Sequence, residues 1–213
     1  MHEHAYHQLH SASSASPAST AWWQVVLALI AAFSAALCTH YFYQRRERRS
    51  AILAVAAQLI AAARQLRRNY LGFAEYETEF NRQQMAYFQA ARVGDPNANN
   101  GVLTGTLDNQ HQADLSKAAA DSASAQSKVY QKEILLTQNE IDKAYFLLLG
   151  LSKQAREDDK LKKALEALLN FRLVIVVSDM KQAREDIEEL FQPNLATIQE
   201  RCGELMEANS KRL

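Results

Sequence analysis

The stretch that decides the fold is AWWQVVLALIAAFSAALCTHYFY, residues 21–43, followed at once by Gln44-Arg45-Arg46-Glu47-Arg48-Arg49. No Asp, Glu, Lys or Arg interrupts the first part, and Gln24, Ser34, Thr39 and His40 are its only clearly polar members. A helix over these positions is roughly 34 Å long, against a hydrocarbon core of about 30 Å. Trp22 and Trp23 stand at one end, and Tyr41, Phe42 and Tyr43 at the other. Aromatic rings with one polar edge favour the two membrane interfaces. The pattern predicts a transmembrane helix over 21–43 with the lipid bilayer as its partner.

The flanking charges predict its orientation. Arg45, Arg46, Arg48 and Arg49 follow the span, whereas no Lys or Arg precedes Arg45. The positive-inside bias then puts the N-terminus outside and the C-terminal body in the cytoplasm, at the plasma (inner) membrane. The same four arginines are placed to meet anionic lipid headgroups, at about 1 kcal/mol each near the surface. A cleaved signal peptide needs a basic leading region, which is missing. A lipid-attachment site at Cys38 fails because Leu37 precedes it where a small residue is needed. Ala28, Ala32 and Ala36 share one helix face, and small residues let spans approach one another.

Residues 1–20 read as a disordered Ser- and His-rich tail. His2, His4, His7 and His10 are four of the six histidines in the chain. Neutral imidazoles bind Zn, Cu or Ni without a fold, so these four are the candidate metal ligands. A tail without positive charge also suits export of the N-terminus.

Past residue 44 the chain carries 24 basic and 23 acidic side chains. That balance leaves no footprint for nucleic acid. About 170 residues suffice to bury a core without disulfides. The two cysteines, Cys38 and Cys202, lie far apart and read as reduced thiols, Cys202 as a small buried hydrophobe.

Proline and glycine punctuate the body sparingly. Gly94, Pro96, Gly101 and Gly105 mark 94–110 as a loop. Before it, Ile52, Leu59, Leu66, Phe73, Phe80 and Tyr87 recur every seven residues, interleaved with Ala56, Ala63, Tyr70, Glu77 and Gln84. This heptad stripe predicts a long helix over 44–93 that continues the span, with Gly72 as a weak point. It is also the surface through which the chain is expected to self-associate. After the loop, Asp108 or Asn109 is expected to cap a second helix that ends near Leu151. A third helix is predicted from Asp158 to Phe191, carrying Leu173–Val177 buried at its centre. Pro193 is expected to open a fourth, lined by Leu195, Ile198, Cys202 and Leu205. The fold class expected is therefore all-α: one N-terminal transmembrane helix and a cytoplasmic antiparallel helical bundle or coiled-coil body, with 111–213 supplying the remaining helices.

The body offers little for chemistry. His111 is its one histidine beyond the span. A di-iron bundle needs two Glu-x-x-His pairs, and only Asp108-Asn109-Gln110-His111 has a loosely similar spacing. No phosphate-binding Gly-rich loop, dinucleotide fingerprint or His-Glu-x-x-His motif occurs. Glu157, Asp158 and Asp159 before Lys160, Lys162 and Lys163 suit a helix start and its one-turn charge pairs. The expectation is a protein with no catalytic activity and no cofactor: a membrane-anchored interaction or scaffold protein binding a cytoplasmic protein partner. The alternative is a signal-relay protein that senses a ligand or metal through its His-rich tail.

Overall fold

The computed structural model describes residues 17–93, 106–173 and 180–211. Among these residues every regular element is an α-helix and no strand occurs: α1 (Pro17–Val93), α2 (Thr106–Leu151), α3 (Lys153–Arg156), α4 (Asp159–Leu169) and α5 (Met180–Ser210). The contacts divide the chain into two units that meet between Glu47 and Arg48.

The first unit is the leading part of α1. Pro17 is its first residue, a position where a missing N–H and a fixed φ favour a helix start. The helix thus begins inside the stretch 1–20 that composition assigns to the tail. It is long and apolar enough to cross a membrane. Trp22, Leu29, Phe33 and Phe42 are all exposed, Phe33 at 68%.

In the second unit α1 and α2 run in opposite directions. Arg48 meets Leu151, Asn69 meets Thr137, and Glu77 meets Ser127. The core contains Ile52, Ala56, Leu59, Ala63, Leu66 and Tyr70 from α1 and Ile134, Ile141, Ala144 and Leu148 from α2. A single copy therefore covers the heptad stripe, with Leu59 and Leu66 fully buried. The stripe packs within the chain in this structure.

The reason lies in α2, whose own seven-residue repeat is Ala113, Ala120, Ser127, Ile134, Ile141 and Leu148, all buried. Its first three members are small, at the level where α1 carries the half-buried Phe80 and Tyr87. Large side chains on one helix are thus matched by small ones on the other. α2 also starts at Thr106, so Asp108 and Asn109 lie in its first turn instead of capping it. Gly72 does not break α1. A Cβ there would overlap the ring of Tyr130, which stacks on Tyr76 at 5.6 Å.

The long third helix does not form. A helix does start where expected, and Asp158 caps it, accepting from the Leu161 N–H at 3.0 Å. α4 then ends at Leu169, with Asn170 as its C-cap. Phe171, Arg172 and Leu173 are not helical. An unbroken helix would hold Phe171 and Phe191 roughly 30 Å apart. Instead their rings lie 5.7 Å apart and both pack on Tyr70, at 5.0 and 5.6 Å. The Tyr70 hydroxyl also donates to the Phe171 carbonyl at 2.9 Å. Burial of three rings, with a hydrogen bond for the one polar edge, outweighs the local helical pattern. Leu173 is half-buried outside any helix, and 174–177 of the apolar run lie outside the described residues.

No helix starts at Pro193, which lies inside α5. Buried Ala183, Ile187 and Phe191 before it and Leu195, Ile198, Cys202 and Leu205 after it keep one helical spacing. That continuous buried face holds α5 together across a residue that lacks an N–H. Nearby, Asn194 Nδ2 donates to the Leu190 carbonyl at 2.7 Å. A paired guanidinium and carboxylate, Arg67 and Glu188, join α1 to α5.

Candidate functional site

The residues singled out by sequence for chemistry are not brought together. His2, His4, His7 and His10 lie outside the described residues. His111 is exposed near the start of α2, whereas Cys202 is completely buried among the core residues of α5. Burial first, and the Asp158 charge second, push the Cys202 thiol up to about 12. A thiol so protected is neither a nucleophile nor a metal ligand at neutral pH. Among the described residues no group of three or more His, Cys, Asp and Glu side chains is placed to hold a metal ion.

The arginine cluster is divided in its use. Arg45 and Arg46 are exposed. Arg48 instead donates from Nε to the Leu151 carbonyl at 2.8 Å. α2 has no basic residue in its own last turn, so Arg48 supplies the cation that its C-terminus lacks. Sequence spacing offers no signal for this contact across 103 positions.

Asp158 is the most engaged carboxylate. Burial works against its charge, but the Leu161 N–H and the Arg201 guanidinium outweigh that and hold it below the usual carboxylate range. Arg201 Nε donates to Asp158 Oδ2 at 2.8 Å, and Arg201 also pairs with Glu204. The cluster locks the start of α4 to α5 and offers no free acid or base.

A groove of about 260 Å³ is lined by Tyr70, Phe73, Ile134, Gln138, Arg172 and Leu173, among others. Gln138 Nε2 donates to the Leu169 carbonyl at 3.2 Å and, at 3.4 Å, to the Tyr70 hydroxyl. These polar groups satisfy the chain end of α4, and the groove contains no nucleophile or acid–base pair.

Deeper in the same interface, Asn69 Nδ2 donates to Thr137 Oγ1 at 3.0 Å, and Gln65 Nε2 donates to Asn69 Oδ1 at 2.8 Å. Both Asn69 and Thr137 are buried. A satisfied polar pair of this kind fixes helix register. The outward side of α2 is different again: Val129, Leu136, Phe146 and Leu147 are all exposed, Phe146 at 70%.

No family model matches the chain, and neither the curated proteins nor the solved structures give a match.

Proposed function

We propose that this chain is a membrane-anchored helical interaction or scaffold protein without catalytic activity. The first part of α1 is its transmembrane anchor, and the rest is a cytoplasmic antiparallel helical bundle that presents its outer helix faces to a protein partner. One observation carries the reading: the apolar surface of this helix is exposed on all sides, with Trp22, Leu29 and Phe33 on one side and Phe42 on the other. Exposed apolar surface on this scale calls for lipid or a partner to cover it. The Arg45, Arg46, Arg48 and Arg49 asymmetry supports the cytoplasmic placement of the body and contact of the exposed Arg45 and Arg46 with anionic headgroups.

Alkaline carbonate extraction and cysteine labelling test this. The full chain should stay in the membrane pellet. A Ser13→Cys variant should be labelled from outside in intact cells, and a reporter fused after Leu213 should report cytoplasm. Release by carbonate, or labelling of Ser13→Cys only after permeabilisation, overturns the anchor or its orientation.

A second reading, signal relay, is favoured by the absence of any break in α1 from Pro17 to Val93. Deleting residues 1–16 separates the two: a relay loses its response to an outside ligand or metal, and a scaffold keeps its partner binding.

A further inference from the structure

Arg48 belongs to the arginine cluster that follows the apolar stretch, and it also closes the far end of α2. It is exposed, and its Nε donates to the Leu151 carbonyl at 2.8 Å. α2 carries no basic residue in its own last turn, and Ser152, which follows it, is the N-cap of α3. The contact therefore sits at the corner where one helix gives way to the next. No acid stands one turn away from Arg48 along α1: the residues three and four positions off are Gln44, Arg45, Ala51 and Ile52. Among the described residues Arg48 forms no ion pair.

The chain itself bounds how far Arg48 lies from the apolar stretch. Tyr43 and Arg48 stand in one helix, α1. Five positions measure roughly 8 Å along it. The polar layer of one bilayer leaflet is roughly 5–7 Å deep, and any tilt of the helix lowers Arg48 further towards it. An anchor that ends at Tyr43 thus leaves the Arg48 guanidinium, on its long apolar stem, within reach of lipid phosphates. The carbonyl end of a helix carries about half a negative charge, spread over several groups. An anionic headgroup carries a whole one and accepts from a guanidinium through paired oxygens. Two acceptors of similar strength therefore compete for one side chain.

We propose that Arg48 is a latch shared between the protein and the membrane: an anionic phospholipid headgroup draws its guanidinium from the Leu151 carbonyl, so the end of α2 loosens as the bilayer becomes more negative. The inference rests on the membrane-anchor reading and adds to it a response of the body to lipid. A zwitterionic bilayer leaves the latch closed, because each phosphate there is already neutralised by the ammonium group of its own lipid. Anionic lipid shifts the equilibrium only by the difference between its hold on the free and on the docked side chain. Since the two attractions are of similar size, that shift is about threefold. It is felt at Leu151 and Ser152, where α2 passes into α3. Ile134 and Ile141, buried further back along α2, are outside its range.

The test uses the full chain in nanodiscs of phosphatidylcholine alone and of phosphatidylcholine mixed with phosphatidylglycerol, read by amide exchange. Exchange at Leu151 and Ser152 should run about threefold faster in the anionic discs, while that of Ile134 and Ile141 stays the same. Arg48→Ala should exchange fast at the corner in both lipids, with no difference between them. Its side chain is exposed, and an unchanged helical spectrum confirms folding. The double variant Arg45→Ala with Arg46→Ala should keep the lipid difference. Equal exchange in the two lipids, or a difference that survives Arg48→Ala or vanishes in the double variant, overturns the proposal. So does inorganic phosphate that speeds the corner to the same extent in neutral discs at matched ionic strength, since the anion is then not a lipid. Co-elution of chain and lipid reads the anchor separately: a chain that enters the discs but shows no lipid dependence loses the latch and keeps its tether, and one that stays out loses both.

Discussion

Arg48 reaches across 103 positions to donate its Nε hydrogen to the Leu151 carbonyl at 2.8 Å. The last carbonyls of a helix lack intrahelical partners and carry its negative dipole end, so a cation there has a defined task. Replacing Arg48 with Ala should let the end of α2 fray. Amide exchange at Leu151 and Ser152 should speed up several-fold while that of Ile134 and Ile141 stays unchanged. Arg48→Lys should recover part of the protection, because the charge remains while the guanidinium geometry is lost. Equal exchange in wild type and Arg48→Ala would reduce the contact to a surface accident.

Gly72 sits where the ring of Tyr130 lies against α1. In a helix interior Gly→Ala is worth about 1 kcal/mol of stability by propensity alone. Here the added Cβ would displace a ring stacked on Tyr76. An aromatic pair is worth about 0.5–1.5 kcal/mol, and overpacking costs a further 1–3 kcal/mol or so. Gly72→Ala should therefore destabilise the chain by about 0.5–3.5 kcal/mol, on those two terms less the propensity gain. In a Tyr130→Ala background the same substitution should become stabilising. Denaturant unfolding of the four variants measures the sign change, and a stabilising Gly72→Ala in the wild-type background would refute the argument.

Asp158 gives the body a pH dependence with a definite sign. Its folded pKa is depressed below the unfolded value of about 3.9, so its contribution is fully present above that value. It is lost as the pH falls through the lower folded pKa. Asp158→Asn should lower the melting temperature at pH 7, and the gap to wild type should narrow as the pH falls below the unfolded value of about 3.9 and through the lower folded pKa. A gap that stays constant across that range would show that the charge of Asp158 contributes nothing beyond its cap.

The sequence makes some of this architecture legible and hides the rest for physical reasons. The long apolar helix over 21–43, the end of α2 at Leu151 and a helix start near Asp158 are local signals, each legible from a few neighbouring residues. The α4–α5 break is not local: Asn170 is only a mild helix breaker, and what turns the chain is the meeting of Phe171 with Tyr70 and Phe191. Pro193 is the converse case, a strong local stop overridden by a buried face that runs through it. The partner of the α1 stripe was hidden because half of the α2 repeat is Ala and Ser, which carry no hydropathy signal though their spacing is regular. As for a site, Cys202 was legible as buried, whereas Arg48–Leu151, Arg67–Glu188 and Asn69–Thr137 depend on pairing that spacing cannot supply.

Asn69 and Thr137 lend themselves to a register test. Asn69→Ala should cost about 1–3 kcal/mol, because it strips a buried hydrogen-bond partner from Gln65 and Thr137. Replacing both, as Asn69→Leu with Thr137→Val, should restore most of that stability while loosening the alignment of α1 against α2. Disulfide trapping between cysteines placed one turn out of register reads the alignment. A double variant as well aligned as wild type would show that the apolar layers alone fix it.

Leu59 and Leu66 decide whether the heptad stripe belongs to one chain or to two. Both are fully buried within a single copy, among Ile52, Ala56, Ala63 and Tyr70 of the same stripe and Ile141 and Leu148 of α2. For either leucine to face a second copy, α1 would have to leave that core, exposing two heptads of apolar surface at once. Truncating a buried leucine to Ala costs about 2–5 kcal/mol, a large fraction of the stability of a domain this size. Leu59→Ala and Leu66→Ala should each lower stability by an amount in that range. The expected loss does not depend on protein concentration, because the contact is intramolecular. Cysteines at 59 and 66 should resist modification in the native chain and give no crosslinked dimers in membranes, even though tethering in two dimensions raises the chance of encounter. Efficient dimer formation at either position, or a melting temperature that rises with the density of the chain in the membrane and falls back in Leu66→Ala, would return the stripe to an intermolecular role and put the packing of α1 on α2 in doubt.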